Sequence, residues 1–319
     1  MKEIMKMTAS IKKYIITFIF VVTPVQQLHS SDFKLDTTQT IATTAVISAL
    51  AYAAYQQLNQ PAQKFIPTAD SSNITSIIFD LDGVLCATNK LRAFQEIGIP
   101  VTLSYMTNQI QLPSEKILFD ALSGVPAIST YKSYNKNLQM PQIMIDWQTG
   151  AQDLPIIRKS ITDHLKNLDL PKTQKSWALE SALMMTDPER FIATRQTIPA
   201  NIALLYELKE KGYKLYILSN WDSTSFPLFQ EKFPEIFLYE SKEMFDGIMI
   251  SGLAGIPKPE IAFFKKCLKD FNIKAESTIF IDDEPANITA AQKVGIKTIL
   301  SNPSDTKILR KNLIELLAS

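Results

Sequence analysis

The 319 residues include 33 basic and 32 acidic side chains, a formal charge of +1, and 46% are hydrophobic. That supplies a substantial core, and the charge balance, with no Lys/Arg block, excludes a nucleic-acid surface. The only histidines are His29 and His164 and the only cysteines Cys86 and Cys267, which excludes a cysteine zinc knuckle or a disulfide framework and leaves carboxylate chemistry.

In chain order, Lys2, Lys6, Lys12 and Lys13 precede the apolar run Tyr14–Val25, about 12 residues where a spanning helix needs roughly 20. With Ser30 and Ser31 behind it, this reads as an export signal peptide. Ile41–Tyr55 is a second apolar run, rich in Ala and Thr, which reads as a surface-packed or linker helix, as a membrane anchor, or as a helical hairpin with the first run. Residues 1–71 are therefore assigned to targeting or tethering. An exported, periplasmic or membrane-tethered location is expected, with membrane association through this segment.

From Ile74 onward, short β-rich runs alternate with amphipathic helical stretches. "ITSIIFD" is apolar throughout, as a parallel strand covered on both faces should be. "PANIALLYELKEKG" begins with Pro199 and stops at Gly212, the usual punctuation of a helix. "YKLYILSN", "DGIMIS", "STIFIDDEP" and "KTIL" read as further strands. "PKPEIAFFKKCLKDFN" reads as a helix opened by Pro259, with Ile261, Phe264, Cys267, Leu268 and Phe271 on one face. "ANITAAQKVG" and "TKILRKNLIELLA" close the chain as helices. Between Asn89 and Ile198, strand-like runs give way to helical stretches such as "SEKILFDALSG", "IIRKSITDHLKNL" and "QKSWALESALMM", broken at Pro113, Pro126, Pro141 and Pro171. The expected fold is α/β, a doubly wound, mostly parallel Rossmann-like sheet over 72–88 and 199–319, with an α-helical cap domain inserted at 89–198.

Polar residues recur at the C-terminal ends of the strands, where open α/β sheets bind ligands. Asp80 and Asp82 end the first strand, Ser219 and Asn220 end "YILSN", and Asp282 and Asp283 end "IFIDD"; Lys258 sits in a loop before a helix. Four converging carboxylates repel one another unless cations are present; Lys258 supplies one positive charge, and oxygen ligands suit Mg²⁺ for the rest. Acids, a lysine, a hydroxyl and Mg²⁺, without histidine or a Gly-rich loop, suit phosphoryl transfer. One carboxylate can attack phosphorus and a second can deliver a proton to the leaving alkoxide.

The segments "DLDGVL", "ILSN", "PKPE" and "IFIDDEPANITAAQKVGI" occur in the order of motifs I to IV of the haloacid dehalogenase-like hydrolase superfamily, which the chain resembles. It is most similar to subfamily I, whose α-helical cap lies between motifs I and II. The resemblance makes Asp80 the nucleophile and Asp82 the general acid/base, with the Asp82 main-chain carbonyl offered to Mg²⁺. Ser219 and Asn220 would bind the phosphoryl group, Lys258 would neutralise the nucleophile and the phosphoryl oxygens, and Asp282 and Asp283 would hold the metal. Gly83 would allow the turn after the nucleophile. An acid two residues after the nucleophile implies phosphate rather than dehalogenase chemistry. The expected activity is hydrolysis of a small phosphorylated substrate. The alternatives are a phosphomutase, which extra basic residues in the cap would favour (Arg158, Lys159 and Arg190 are available, but no pattern singles them out), and a non-catalytic binding protein with the same fold. Cys267 is expected in the core, Cys86 near the mouth, and Trp221 packed beside motif II.

Overall fold

The computed structural model describes residues 66–109 and 115–318. The Tyr14–Val25 and Ile41–Tyr55 runs and the Pro113 break lie outside them. Among the described residues no helix is long and apolar enough to cross a membrane.

Strand β1 (Ser76–Phe79) is buried at every position and leads into a short strand β2 (Cys86–Thr88). The chain then leaves the sheet through seven helices: α1 (Lys90–Ile97), α2 (Ile99–Gln109), α3 (Glu115–Leu122), α4 (Gln142–Thr149), α5 (Leu154–Asn167), α6 (Lys172–Met185) and α7 (Pro188–Ala193). It returns on β3 (Arg195–Thr197), which pairs antiparallel with β2, Thr88 opposite Arg195. The sheet resumes with α8 (Pro199–Glu210), β4 (Lys214–Ser219), α9 (Ser225–Lys232) and β5 (Gly247–Ile250). It ends with α10 (Ile261–Asp270), β6 (Thr278–Asp282), α11 (Pro285–Gln292), β7 (Lys297–Leu300) and α12 (Thr306–Leu317). Helices α1, α2, α4 and α7 are not among the helical stretches read from sequence, although α1 lies between an Asn89 N-cap and Gly98.

The five-stranded sheet runs β7-β6-β1-β4-β5 with every pair parallel. All strands therefore end at one edge, with β1 between β4 and β6. Alternation of side chains across the pleat builds two apolar clusters. Ile78, Tyr216, Leu218 and Phe280 pack with Phe263, Phe264 and Cys267 of α10. Ile77, Phe79, Leu215, Ile217, Ile279 and Ile281 face the other way. Their cluster runs without a break into the inserted helices through Leu118, Ile143, Trp147, Ile157 and Phe191. An aromatic series, Trp147 to Phe191 to Trp221 to Phe229, with ring centroids 4.5–5.6 Å apart, joins the insertion to the sheet side.

Helix α10 begins at Ile261, two residues later than the proline pattern implies, because Pro257–Glu260 form a turn closed by Glu260 N–H to the Pro257 carbonyl (3.0 Å). Its fully buried positions are Phe263, Phe264 and Cys267, while Ile261, Leu268 and Phe271 lie at the margin of that face.

Candidate active site

Because β1 lies between β4 and β6, its end meets theirs. Phe79 is level with both Ile217 and Ile281, which sets Asp80 among the residues that end all three strands. Three donors converge on Oδ1 of Asp80: Ser219 Oγ (2.7 Å), the Leu81 N–H (2.7 Å) and Lys258 Nζ (2.8 Å). Lys258 is only 1% exposed, and its ammonium also meets Asp282 Oδ2 at 2.6 Å. A buried lysine between two carboxylates satisfies charges that would each be costly alone. Burial works against the ammonium, but Asp282 and Asp80 outweigh it and raise its pKa above the ordinary lysine value. Burial, reinforced by the charge of Asp282, lifts Asp80 to about 6 despite Lys258 and Ser219.

Asp282 is held from its other side as well. Its Oδ1 accepts from the Glu284 N–H (2.8 Å) and from Asn287 Nδ2 (3.0 Å) at the start of α11. Asn220 braces Lys258 rather than standing alone: its Oδ1 accepts from the Lys258 N–H (2.7 Å) and its Nδ2 donates to the Lys258 carbonyl (3.0 Å). Ser133, from the inserted segment, donates to the same carbonyl (2.9 Å).

Asp283 is the acid without a protein donor or cation of its own among the described residues. Burial, then the charges of Asp80, Asp282 and Asp82, push it up to about 8. Its carboxylate lies where a side chain on Gly83 would be: a Cβ there would stand 2.1 Å from Asp283 Oδ2. Gly83 also has φ +78°, which a glycine adopts without strain.

Carboxylate oxygens of Asp80, Asp282 and Asp283 all lie within 4.8 Å of one another. One ammonium does not neutralise three such groups. All the donors are hard oxygens, so the set fits a divalent cation of the Mg²⁺ kind.

The Asp82 carboxylate stands outside this cluster. The strand ends at Phe79, and Asp82 is not one of the three acids whose oxygens group together. Asp82 is 52% exposed and pairs instead with Arg195 Nη1 at 2.8 Å. Arg195 lies on β3, 113 residues away in sequence, is 8% exposed, and lays its guanidinium 4.3 Å from the centre of the Phe191 ring. Its Nε is buried and unpartnered.

Of the residues read from sequence, Asp80, Ser219, Asn220, Lys258, Asp282 and Asp283 come together; Asp82 lies beside them on Arg195. Arg158, Lys159 and Arg190 do not reach the site. Arg158 is held by the Thr186 carbonyl and Asp187, Lys159 by Asp163, and Arg190 by Glu96 and Glu180. Cys86 and Cys267 are both buried and reduced. Trp221 is packed between Phe191 and Phe229 and donates Nε1–H to Ser225. Sequence reasoning passed over Arg195, Ser133, Glu284 and Asn287. The last two stand inside the "DDEPAN" segment and were findable there; Arg195 and Ser133 carry no local signal.

Several characterised proteins are similar. A sesquiterpene phosphatase of Aspergillus oryzae is 36% identical over 94 residues, 30% of this chain and 45% of that protein. The chain thus spans under half the length of that relative. A glyceraldehyde 3-phosphate phosphatase of Pyrococcus abyssi is 29% identical over 173 residues, 51% of this chain and 69% of that one. Among solved structures, a haloacid dehalogenase-family enzyme of Bacteroides thetaiotaomicron is 21% identical with a TM-score of 0.47, covering 71% of this chain and 92% of its own. The model of the haloacid dehalogenase-like hydrolases matches residues 74–295, and the chain belongs to that family.

Proposed function

We propose that this protein is a Mg²⁺-dependent phosphomonoester hydrolase of the α-capped subfamily, acting on a small phosphorylated metabolite through an aspartyl-phosphate at Asp80. The observation that carries the reading is the asymmetry of Asp80. Ser219, Leu81 and Lys258 all donate to Oδ1, while Oδ2 takes no donor among the described residues. Fixing one oxygen leaves the other to attack phosphorus. The family membership and the relatives named as phosphatases support the same chemistry.

Asp80 Oδ2 bonds to phosphorus as the P–O bond to the leaving group breaks. Asp82 gives its proton to the departing alkoxide. To do so its carboxyl must part from Arg195. Ionised again, Asp82 takes a proton from water as the water oxygen bonds to phosphorus. The acyl-phosphate P–O bond then breaks, freeing inorganic phosphate and Asp80. Lys258 and Ser219 hold Asp80 throughout and can donate to phosphoryl oxygens. Mg²⁺ held by Asp80, Asp282, Asp283 and the Asp82 main-chain carbonyl would supply charge neutralisation for those oxygens.

Arg158, Lys159 and Arg190 were available to the mutase reading, and all three are tied to partners within the insertion. The test is phosphate release from phenyl phosphate by the full chain with Mg²⁺, with chelator, and as Asp80→Asn. Turnover that requires both the metal and Asp80 supports the proposal. Turnover that survives Asp80→Asn at the wild-type rate refutes the covalent route.

A further inference from the structure

The chain between α3 and α4 carries a small hairpin that reaches the strand ends. Tyr134–Asn135 pairs antiparallel with Leu138–Gln139. Its two turn residues, Lys136 and Asn137, have φ of 51° and 64°, the geometry of a tight two-residue hairpin. The approach to it is fixed from below: the buried Asp146 carboxylate accepts from the main-chain N–H groups of Ile128 (2.8 Å) and Ser129 (2.7 Å). The hairpin is also tied to the catalytic loops at two points. At its base, Ser133 bonds the Lys258 carbonyl. At its tip, the Asn137 N–H donates to Glu284 Oε2 at 2.9 Å, and Glu284 in turn gives its own N–H to Asp282.

That anchoring hangs Lys136 at the mouth of the site, where its ammonium feels the charges of Asp82 and Asp283 and pairs with Glu115 Oε1 at 2.8 Å. Two acceptors beside the tip are unused. Glu115 Oε2 and Glu284 Oε1 are both buried without a hydrogen-bond partner. Each carboxylate holds the hairpin with one oxygen and leaves the other unpaired, which is costly unless a ligand donates to it.

We propose that the hairpin tip reads the leaving group, with Lys136 donating to, and Glu115 and Glu284 accepting from, the hydroxyls of a polyol or sugar phosphate. A hydroxyl both gives and takes a hydrogen bond, so it suits a mixed donor and acceptor set; a hydrocarbon leaving group would leave Glu115 Oε2 and Glu284 Oε1 unpaired. This assignment rests on the phosphatase reading and names the substrate class at the same site.

The test compares kcat and KM of the full chain with Mg²⁺ on glucose 6-phosphate, glycerol 3-phosphate, phenyl phosphate and farnesyl phosphate, for wild type, Lys136→Met and Lys136→Arg. The expected result is a wild-type preference for the two hydroxylated esters. Lys136→Met should lose at least about tenfold more kcat/KM on glucose 6-phosphate than on phenyl phosphate, mostly through KM, with Lys136→Arg recovering most of it. Equal losses on both esters, or a wild-type preference for farnesyl phosphate, would overturn the assignment while leaving the phosphatase reading intact. No Mg²⁺-dependent turnover of any ester would overturn both.

Discussion

Gly83→Ala is the sharpest test of how the carboxylate cluster is built. The substitution acts twice. At φ +78° an alanine sits in the left-handed region, a strain of roughly 1–2 kcal/mol. Its Cβ would also stand 2.1 Å from Asp283 Oδ2 and 2.2 Å from Cγ, far inside any tolerated contact. The carboxylate must turn away or the chain must shift, and either move takes Asp283 out of the group of oxygens now within 4.8 Å of one another. Mg²⁺ affinity should fall at least about tenfold, the loss that displacing even an outer partner of a metal ligand produces. Calorimetric titration of Mg²⁺ into wild type, Gly83→Ala, Asp283→Ala and the double variant measures this directly. With the carboxylate already gone, adding Gly83→Ala should change affinity by less than about twofold while still costing the backbone strain in urea unfolding. Wild-type affinity in Gly83→Ala would refute the reasoning, as would full additivity in the double variant.

Removal of the buried cation should be felt as a charge left behind. Lys258→Met strands Asp80 and Asp282, and a broken buried pair costs about 3–5 kcal/mol. Urea unfolding should show the larger loss at pH 8 and a smaller one at pH 5, where protonation relieves the repulsion; an equal loss at both would contradict the pairing. Asp283 makes the metal-free protein pH-sensitive in a defined direction. Its folded pKa of about 8 lies above the ordinary 3.8, so between these values the fold binds more protons than the unfolded chain. Metal-free stability should therefore fall as pH rises through that window. Mg²⁺ must displace that proton, so its apparent affinity should weaken by up to about tenfold for each pH unit below 8. Calorimetry in two buffers of different ionisation enthalpy should record about one proton released, and a flat affinity from pH 6 to 9 would count against the assignment.

The frame of the candidate site was legible because each part is local. A run such as "SIIF" ending in acid shows both the strand and its terminus, and the parallel sheet brings those termini together by topology alone. What stayed hidden depends on long-range docking. Nothing around Arg195 signals that β3 will lay it against Asp82. Nothing around Lys136 marks a site residue, because two anchors of its hairpin, Glu284 and the Lys258 carbonyl, come from distant segments. Arg158, Lys159 and Arg190 were available to the mutase alternative without any pattern singling them out, and each is paired with an acid or carbonyl of the insertion. Proline position misled only slightly, at α10, where a turn intervenes before the helix.

The charge pattern of the assembled site constrains the order in which its ligands can arrive. Asp80, Asp82, Asp282 and Asp283 outnumber Lys258 and Arg195, and Lys136 is already neutralised by Glu115. With its acids ionised, and with Glu284 holding no cation of its own among the described residues, the site therefore carries an excess of at least about two negative charges in a partly buried setting, where screening by salt is weak. A phosphomonoester dianion would meet repulsion there, even though Ser219 and Lys258 are positioned to donate to it. A bound divalent cation would offset two of those charges and weaken the repulsion, leaving the donors of Ser219 and Lys258 to draw the phosphoryl group in. Under the proposed function the same four carboxylates would serve as nucleophile, proton carrier and metal ligands, and would also withhold the site from phosphate until the metal is in place.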